Sequence, residues 1–376
     1  MRRALLLVLG SIAVTACGAR TNPGDLFDTS GPGGSGGGAS SSSGGSSGGS
    51  SGGGSSSGGT NSDGGTVGPL SCPGIPPAGT GGGDGSPVVL ATLTSPAGLA
   101  LDADNLYVAS YASGPVSRVP LDGGPAVTLD EIGAYNVAIN ASGVYTVGWT
   151  GVVAGCAKAG CGGEYTTLAS GQTGVWGVAA DETSVYWTNQ GINGLGGVFA
   201  VPAGGGAPVQ LSDGAATSIV ARSGSLFFEQ EIGVGDTVAR MDVDGRNLQT
   251  LQTWSHSGTA VNALTVDCVN VYYALTDGTI GRFPLDGGQT TQLATEQQVS
   301  LQMAVDAENL YFLATVSAAD GEPGQPPKGF VRSVPIAGGP VRTLADAQGA
   351  VGGIAVDATN VYWSNTGDGT VSKIAK

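Results

Sequence analysis

An acidic or polar residue followed five positions later by an aromatic one recurs seven times: Asp102 and Tyr107, Asn140 and Tyr145, Asp181 and Tyr186, Arg222 and Phe227, Asp267 and Tyr272, Asp306 and Tyr311, Asp357 and Tyr362. The first members stand 38, 41, 41, 45, 39 and 51 residues apart. That period matches one supersecondary unit per blade in a propeller of about 40 to 50 residues per blade.

Each unit reads as four strands. One and three positions before the marker the residues are mostly large and apolar, as in Leu99 and Leu101 or Ile354 and Val356, while two positions before it they are small: Ala100, Ala138, Ala179, Ala304, Ala355. A period of two marks a strand, and the small face suits an innermost strand, where blades converge. The marker acid then sits in a turn, where Asp and Asn side chains bond nearby backbone amides. The aromatic lies in the second strand, and a third strand ends in a Pro and glycine turn such as Pro120-Leu121-Asp122-Gly123-Gly124 or Pro335-Ile336-Ala337-Gly338-Gly339. A short fourth strand such as Ala126-Val127-Thr128-Leu129 completes an antiparallel blade. Arg118, Arg240, Arg282 and Lys373 recur at the end of the third strand, where blade-to-blade ion pairs are expected.

The seventh unit stops in its third strand, at Ile374-Ala375-Lys376, and a strand without a unit in front of it stands at 87–93. The N-terminal strand is therefore expected to complete the last blade and remove an open edge. The fold class is all-β: a single seven-bladed β-propeller over 87–376, with six blades as the alternative.

The chain opens Met1-Arg2-Arg3 and continues with an apolar run to Val14 that is too short to span a bilayer. Val14-Thr15-Ala16-Cys17 resembles the bacterial lipobox, which implies a leader over 1–16, lipidation of Cys17, and, with Gly18 rather than Asp next, sorting to the outer membrane. Residues 31–59 are Gly and Ser apart from Pro32 and Ala39. Such a segment has no side chains with which to build a core, so 17–86 is read as an acylated N-terminus and flexible tether. Some 55 residues of it reach about 40 Å end to end. No stretch after residue 17 is apolar enough to span a membrane as a helix.

The net charge is −15 with 14 Lys and Arg, and removal of Arg2 and Arg3 with the leader takes it to −17. Nucleic acid needs a basic footprint, which is absent. Four cysteines follow Cys17, an even number that suits disulfides in an oxidising compartment. Cys156 and Cys161 are expected to staple a local hairpin; Cys72 and Cys268 are left by elimination, with connectivity set by geometry that spacing does not contain. A zinc site at Cys156 and Cys161 lacks further ligands at matching spacing.

Val185-Tyr186-Trp187-Thr188-Asn189 and Val361-Tyr362-Trp363-Ser364-Asn365, with Leu285-Asp286-Gly287-Gly288, resemble the Tyr-Trp-Thr-Asp (YWTD) and NHL-like repeat propellers of lipoprotein receptors and their bacterial lipoprotein relatives. The resemblance covers 87–376 and implies the fold. Asn stands here where the receptors have the final Asp, and seven units stand where they have six.

Function is sought at the channel mouth and on the loops of one face, at 110–115, 188–196, 229–236, 253–262 and 314–329. Tyr135 and Trp176 occupy equivalent positions at the start of their inner strands, and Trp254 lies near His256. These four are the candidate ligand-binding residues, with packing between blades as the alternative role of the aromatics. His256 is the one histidine, which excludes a multi-histidine metal centre or a second imidazole relay. The recurring Asp residues sit in turns of separate blades and do not converge on a metal. No catalytic residue, metal or cofactor is assigned. The expected function is a non-enzymatic, outer-membrane-anchored module that binds an envelope protein or a glycan. The alternative is an exported propeller enzyme such as a lactonase or lyase.

Overall fold

The computed structural model describes residues 72, 74–79, 85–111, 114–191, 196–232, 235–254, 259–316 and 328–376. The leader, Cys17, the Gly/Ser run, His256 and most of the 314–329 loop lie outside the described residues.

Among the described residues, twenty-eight strands form seven four-stranded antiparallel sheets. Blades 1 to 6 are continuous in sequence, at 96–130, 136–169, 175–213, 215–254, 261–294 and 299–348. Blade 7 takes three strands from 351–375 and its outer strand from Val88–Thr92, which pairs antiparallel with Thr370–Ala375 in the register Val88 to Lys373 and Thr92 to Thr370. The innermost strands touch in cyclic order, so the sheets close a ring. Seven blades and closure by the N-terminal strand agree with the sequence reading.

The core is distributed over the seams between blades. Seven apolar clusters each join two neighbouring blades. Trp187 packs with Val147 and Val153 of blade 2, and Trp363 with Leu313 and Val331 of blade 6. Each such fully buried side chain contributes about 1.5–3 kcal/mol.

The repeated marker is a three-way lock. In blade 5, Asp267 Oδ1 accepts the amides of Val269 and Asn270 at 2.7 and 2.6 Å, and Oδ2 accepts the Tyr272 hydroxyl at 2.7 Å. The same hydroxyl bond joins Tyr107 to Asp102, Tyr145 to Asn140, Tyr186 to Asp181, Tyr311 to Asp306 and Tyr362 to Asp357. Blade 4 departs at both ends, with Arg222 and Phe227. Its strands pair through Arg222 and Ser225, leaving a two-residue turn in which Ser223 and Gly224 both have positive φ, 49° and 77°. A primed turn of this kind closes a hairpin on its own, so neither the capping acid nor the tyrosine that bonds it is needed.

The Tyr-Trp-Thr/Ser-Asn segments of blades 3 and 7 are accounted for residue by residue. Trp187 Nε1 and Asn189 Nδ2 both donate to Gln172 Oε1, at 3.0 and 3.1 Å, and Trp363 and Asn365 do the same to Gln348. The hydroxyl between them accepts from a glycine amide of its own inner strand and donates to the next blade: Ser364 to Ala97 O, Thr188 to Thr217 O. An Asn in the last position supplies the N–H donor that this bond requires.

Of the third-strand cations, Arg240 makes the expected inter-blade ion pair, with Asp286 at 2.7 Å. Arg118 and Lys373 instead donate to backbone carbonyls of the next blade, Lys158 O and Leu121 O. The neighbouring turn offers those carbonyls within reach, and a carboxylate is not required.

Candidate functional site

The topology gives the ring two unlike faces. The lower face carries the marker turns and the Pro and glycine turns; the upper face carries the connections between blades and the loops joining second to third strands.

The lower mouth is occupied by the chain itself. Cys72 is bonded to Cys268 in the marker turn of blade 5, Pro76 O accepts the amide of Ala307 in blade 6 at 3.0 Å, and Pro77 O accepts Lys376 Nζ at 3.3 Å. Sequence reading had placed these residues within the tether. Here they form a strap at the lower mouth, lining with Val220, Arg222, Met303 and Ile354 an open recess of about 560 Å³. Beneath it Lys376 Nζ meets Asp306 Oδ2 at 2.7 Å.

Within the channel Gln302 of blade 6 reaches across the ring. Its Oε1 accepts the amides of Leu99 and Ile354 at 3.4 and 3.3 Å, and its Nε2 donates to Asn136 Oδ1 at 3.2 Å. One side chain thus ties blade 6 to blades 1, 2 and 7. A Cβ at Gly353 would lie 2.5 Å from Gln302 Oε1, so the crossing depends on that glycine.

At the upper mouth four aromatic rings from blades 1 to 3 gather. Tyr135 is central, with ring centroids 6.5 Å from Tyr111, 5.1 Å from Trp149 and 5.4 Å from Trp176; Trp149 and Trp176 meet edge to face at 6.5 Å. Tyr135 enters on the connection into blade 2, held by its own amide on Val147 O and by Gly98 N on its carbonyl. Gly148 permits the approach: a Cβ there would lie 2.3 Å from Gly133 O. Tyr135 is 8% exposed, whereas Trp149 is 65% exposed. Burial raises the pKa of both Tyr111 and Tyr135, so their hydroxyls stay neutral at physiological pH. The result is an uncharged, preformed surface with a buried base and one projecting indole.

Of the residues singled out by sequence, the structure brings Tyr135 and Trp176 together. Trp254 stands apart: it ends the outer strand of blade 4 and packs on Tyr273 and Phe283 of blade 5, with centroids at 4.7 and 6.4 Å. His256 falls outside the described residues. Tyr111 lies in the 110–115 loop named from the sequence, without having been singled out within it; Trp149 was missed because it lies in a loop that differs between repeats, and its one signal was its position just after a second strand.

Continuing round the ring from Trp176, the inner strand of blade 4 presents Thr217, whose hydroxyl bonds Glu229 Oε2. Glu229 is buried, and its pKa is raised to about 8 by that burial and by the charges of Asp236 and Glu231, against the bonds from Thr217. It is a proton-bearing carboxyl at neutral pH.

Both disulfides are formed, Cys72 with Cys268 and Cys156 with Cys161. Among the described residues one group has the spacing to hold a metal, Asp130 with Cys156 and Cys161, and there the two sulfurs are joined to each other.

No protein-family model and no curated protein matches the chain. Solved structures of similar fold include virginiamycin B lyase from Staphylococcus aureus, at 12% identity over 76% of this chain and 98% of that one, TM-score 0.59. YCF48 bound to D1 peptide matches at 10% identity over 82% of this chain and all of that one, TM-score 0.57. The computationally designed Ika8 protein matches at 16% identity over 77% and 99%, TM-score 0.54. At these identities the likeness establishes the β-propeller and leaves activity open, since one fold hosts many functions.

Proposed function

We propose that this protein is a binding module tethered to the outer membrane through Cys17, and that it takes an envelope protein or a glycan on the aromatic surface of Tyr111, Tyr135, Trp149 and Trp176. The observation that carries the reading is Trp149, an indole left projecting beside rings that hold it in place. Rigid aromatic surface gives large contact area at low entropic cost, and such residues dominate binding energy.

The test is capture from envelope extracts by the full chain carrying Cys17→Ser, with Trp149→Ala as control. A saturable partner held by the first and lost from the second supports the reading; equal capture by both overturns it. Retention of the Cys17→Ser chain in membranes as firmly as the parent would overturn the anchor.

A second reading, a propeller enzyme, is favoured by Glu229, a carboxyl whose pKa suits proton transfer near neutrality. Turnover of lactone substrates by the full chain, abolished by Glu229→Gln, would replace the binding role with this one.

A further inference from the structure

The pairing of Cys156 with Cys161 has surroundings that a simple staple does not require. Asp130 ends the outer strand of blade 1 and reaches the disulfide of blade 2, with its carboxylate oxygen and both sulfurs within 4.8 Å of one another. Asp130 is 1% exposed and Cys156 7%, while Cys161 is only half-buried. Cys156, Leu129 and Val144 form part of an apolar cluster, with Cys161 packed against it. A carboxyl enclosed there holds its proton more tightly than usual, because burial outweighs the single amide bond from Ile132.

The segment between the cysteines is fixed without help from the disulfide. Lys158 Nζ pairs with Asp102 at 2.8 Å, Lys158 O accepts Arg118 Nη1 at 3.0 Å, and Gly160 N donates to Ala157 O at 2.8 Å. Gly163 bridges to Asp130 itself. Leu129 O lies 3.3 Å from Cys161 Sγ, where it would accept a thiol proton after reduction. The two sulfurs would therefore stay in place once the bond between them is broken, the preorganisation that reversible closure needs.

We propose that Cys156–Cys161 is a thiol–disulfide exchange centre whose co-reactant is a dithiol, with Asp130 as the group that passes the proton to and from Cys156. One thiolate of the dithiol attacks Cys161 Sγ, the accessible sulfur. The Sγ–Sγ bond breaks, its electron pair departs on Cys156 Sγ, and that sulfur takes the Asp130 proton. The second thiol of the dithiol returns a proton to the Asp130 carboxylate and attacks its own sulfur in the mixed disulfide, releasing Cys161, which is protonated from solvent. Two electrons move from the dithiol to the protein: the dithiol ends as a cyclic disulfide and the protein pair as two thiols. The reverse sequence reduces an external cyclic disulfide to its dithiol and re-forms the Cys156–Cys161 bond.

The experiment uses the full chain with Cys17→Ser, dithiothreitol as reductant, and thiol trapping with mass spectrometry. Cys72–Cys268 in the same molecule serves as internal standard. A positioned acid or base contributes about 10²–10⁴ in rate when fully used; Asp130→Asn is expected to slow reduction of Cys156–Cys161 at least tenfold and leave Cys72–Cys268 within twofold. Rates within twofold of the parent at Cys156–Cys161, or an equal slowing of both disulfides, would overturn the proposal. Should Asp130→Asn not fold, the order of attack is tested separately. Cys161 in Cys156→Ser should react with iodoacetamide at least tenfold faster than Cys156 in Cys161→Ser, and equal or reversed rates would overturn it.

Discussion

Lys376, the last residue, places its ammonium 2.7 Å from Asp306 Oδ2 with both side chains at or below 2% exposure. The pair joins the end of the chain to blade 6, and the same ammonium holds the strap through Pro77 O. Asp306 also accepts the Tyr311 hydroxyl and two backbone amides, so its charge is well supplied with donors. Removing one partner of a buried pair strands the other and costs about 3–5 kcal/mol. Lys376→Met should therefore lower Tm by several degrees in a thermal melt, and the strap segment should become more open to proteolysis. A melt that coincides with the parent's would show the pair to be energetically idle.

Glu229 gives a signed pH dependence. Its folded pKa of about 8 stands above the unfolded value near 4.5, so the folded state holds a proton that the unfolded state surrenders. Stability from this group is complete below about pH 4.5 and declines as pH rises toward 8, by about 3 kcal/mol at pH 7. The charges facing it, on Asp236 and Glu231, act in the same direction. Glu229→Gln keeps a partner for Thr217 and should flatten the fall in denaturant midpoint between pH 5 and 8. An unchanged slope would mean that the carboxyl ionises freely.

Asp102 acts at the other end of the pH scale. Burial alone would raise its pKa, but bonds from Lys158, the backbone amides and Tyr107 outweigh it and hold the value at about 2. Its contribution is present above about pH 4 and lost as pH falls toward 2. Lys158→Met should move the acid transition of the protein to higher pH, measured by circular dichroism.

Ring closure rests on Val88–Thr92 against Thr370–Ala375. Deleting 88–92 leaves the latter as an unpaired edge, which invites pairing with another chain. Light scattering should show oligomers together with a lower Tm; a monomer with the parent's melting curve would mean that closure lies elsewhere.

Blade 4 permits a double-mutant cycle. Phe227→Tyr alone buries a hydroxyl beside Arg222, whereas Arg222→Asp with Phe227→Tyr restores the pair found in the other blades. A coupling of about 1–2 kcal/mol in favour of the double variant is expected from urea melts. Zero coupling would show that the Ser223-Gly224 turn holds the acid away from the ring.

Much of this fold was legible because it repeats. Seven registers of the same alternation locate the strands, and a missing fourth strand at one end with a spare one at the other predicts the closure. The Asp-to-Tyr bond was not legible, because a spacing of five puts the acid in a turn and the tyrosine on the strand that follows, and gives no sign that the side chains meet. Gln172 and Gln348 escaped notice for another reason: one stands in a connection between blades and the other ends an outer strand of unusual length, where repeat comparison loses register. The same limit hid Trp149. Trp254 looked like a neighbour of the channel in sequence, yet the strand it ends is the outermost of its blade, and order within the sheet sets distance from the axis.

The bonds of Gln302 to blades 1, 2 and 7 lay one side chain across the inside of the ring, between the aromatic rings at one mouth and the strap at the other. Gln302→Ala would remove that crossbar and take the acceptor away from the amides of Leu99 and Ile354, so the two mouths would be separated by one less barrier and three blades would lose a shared partner.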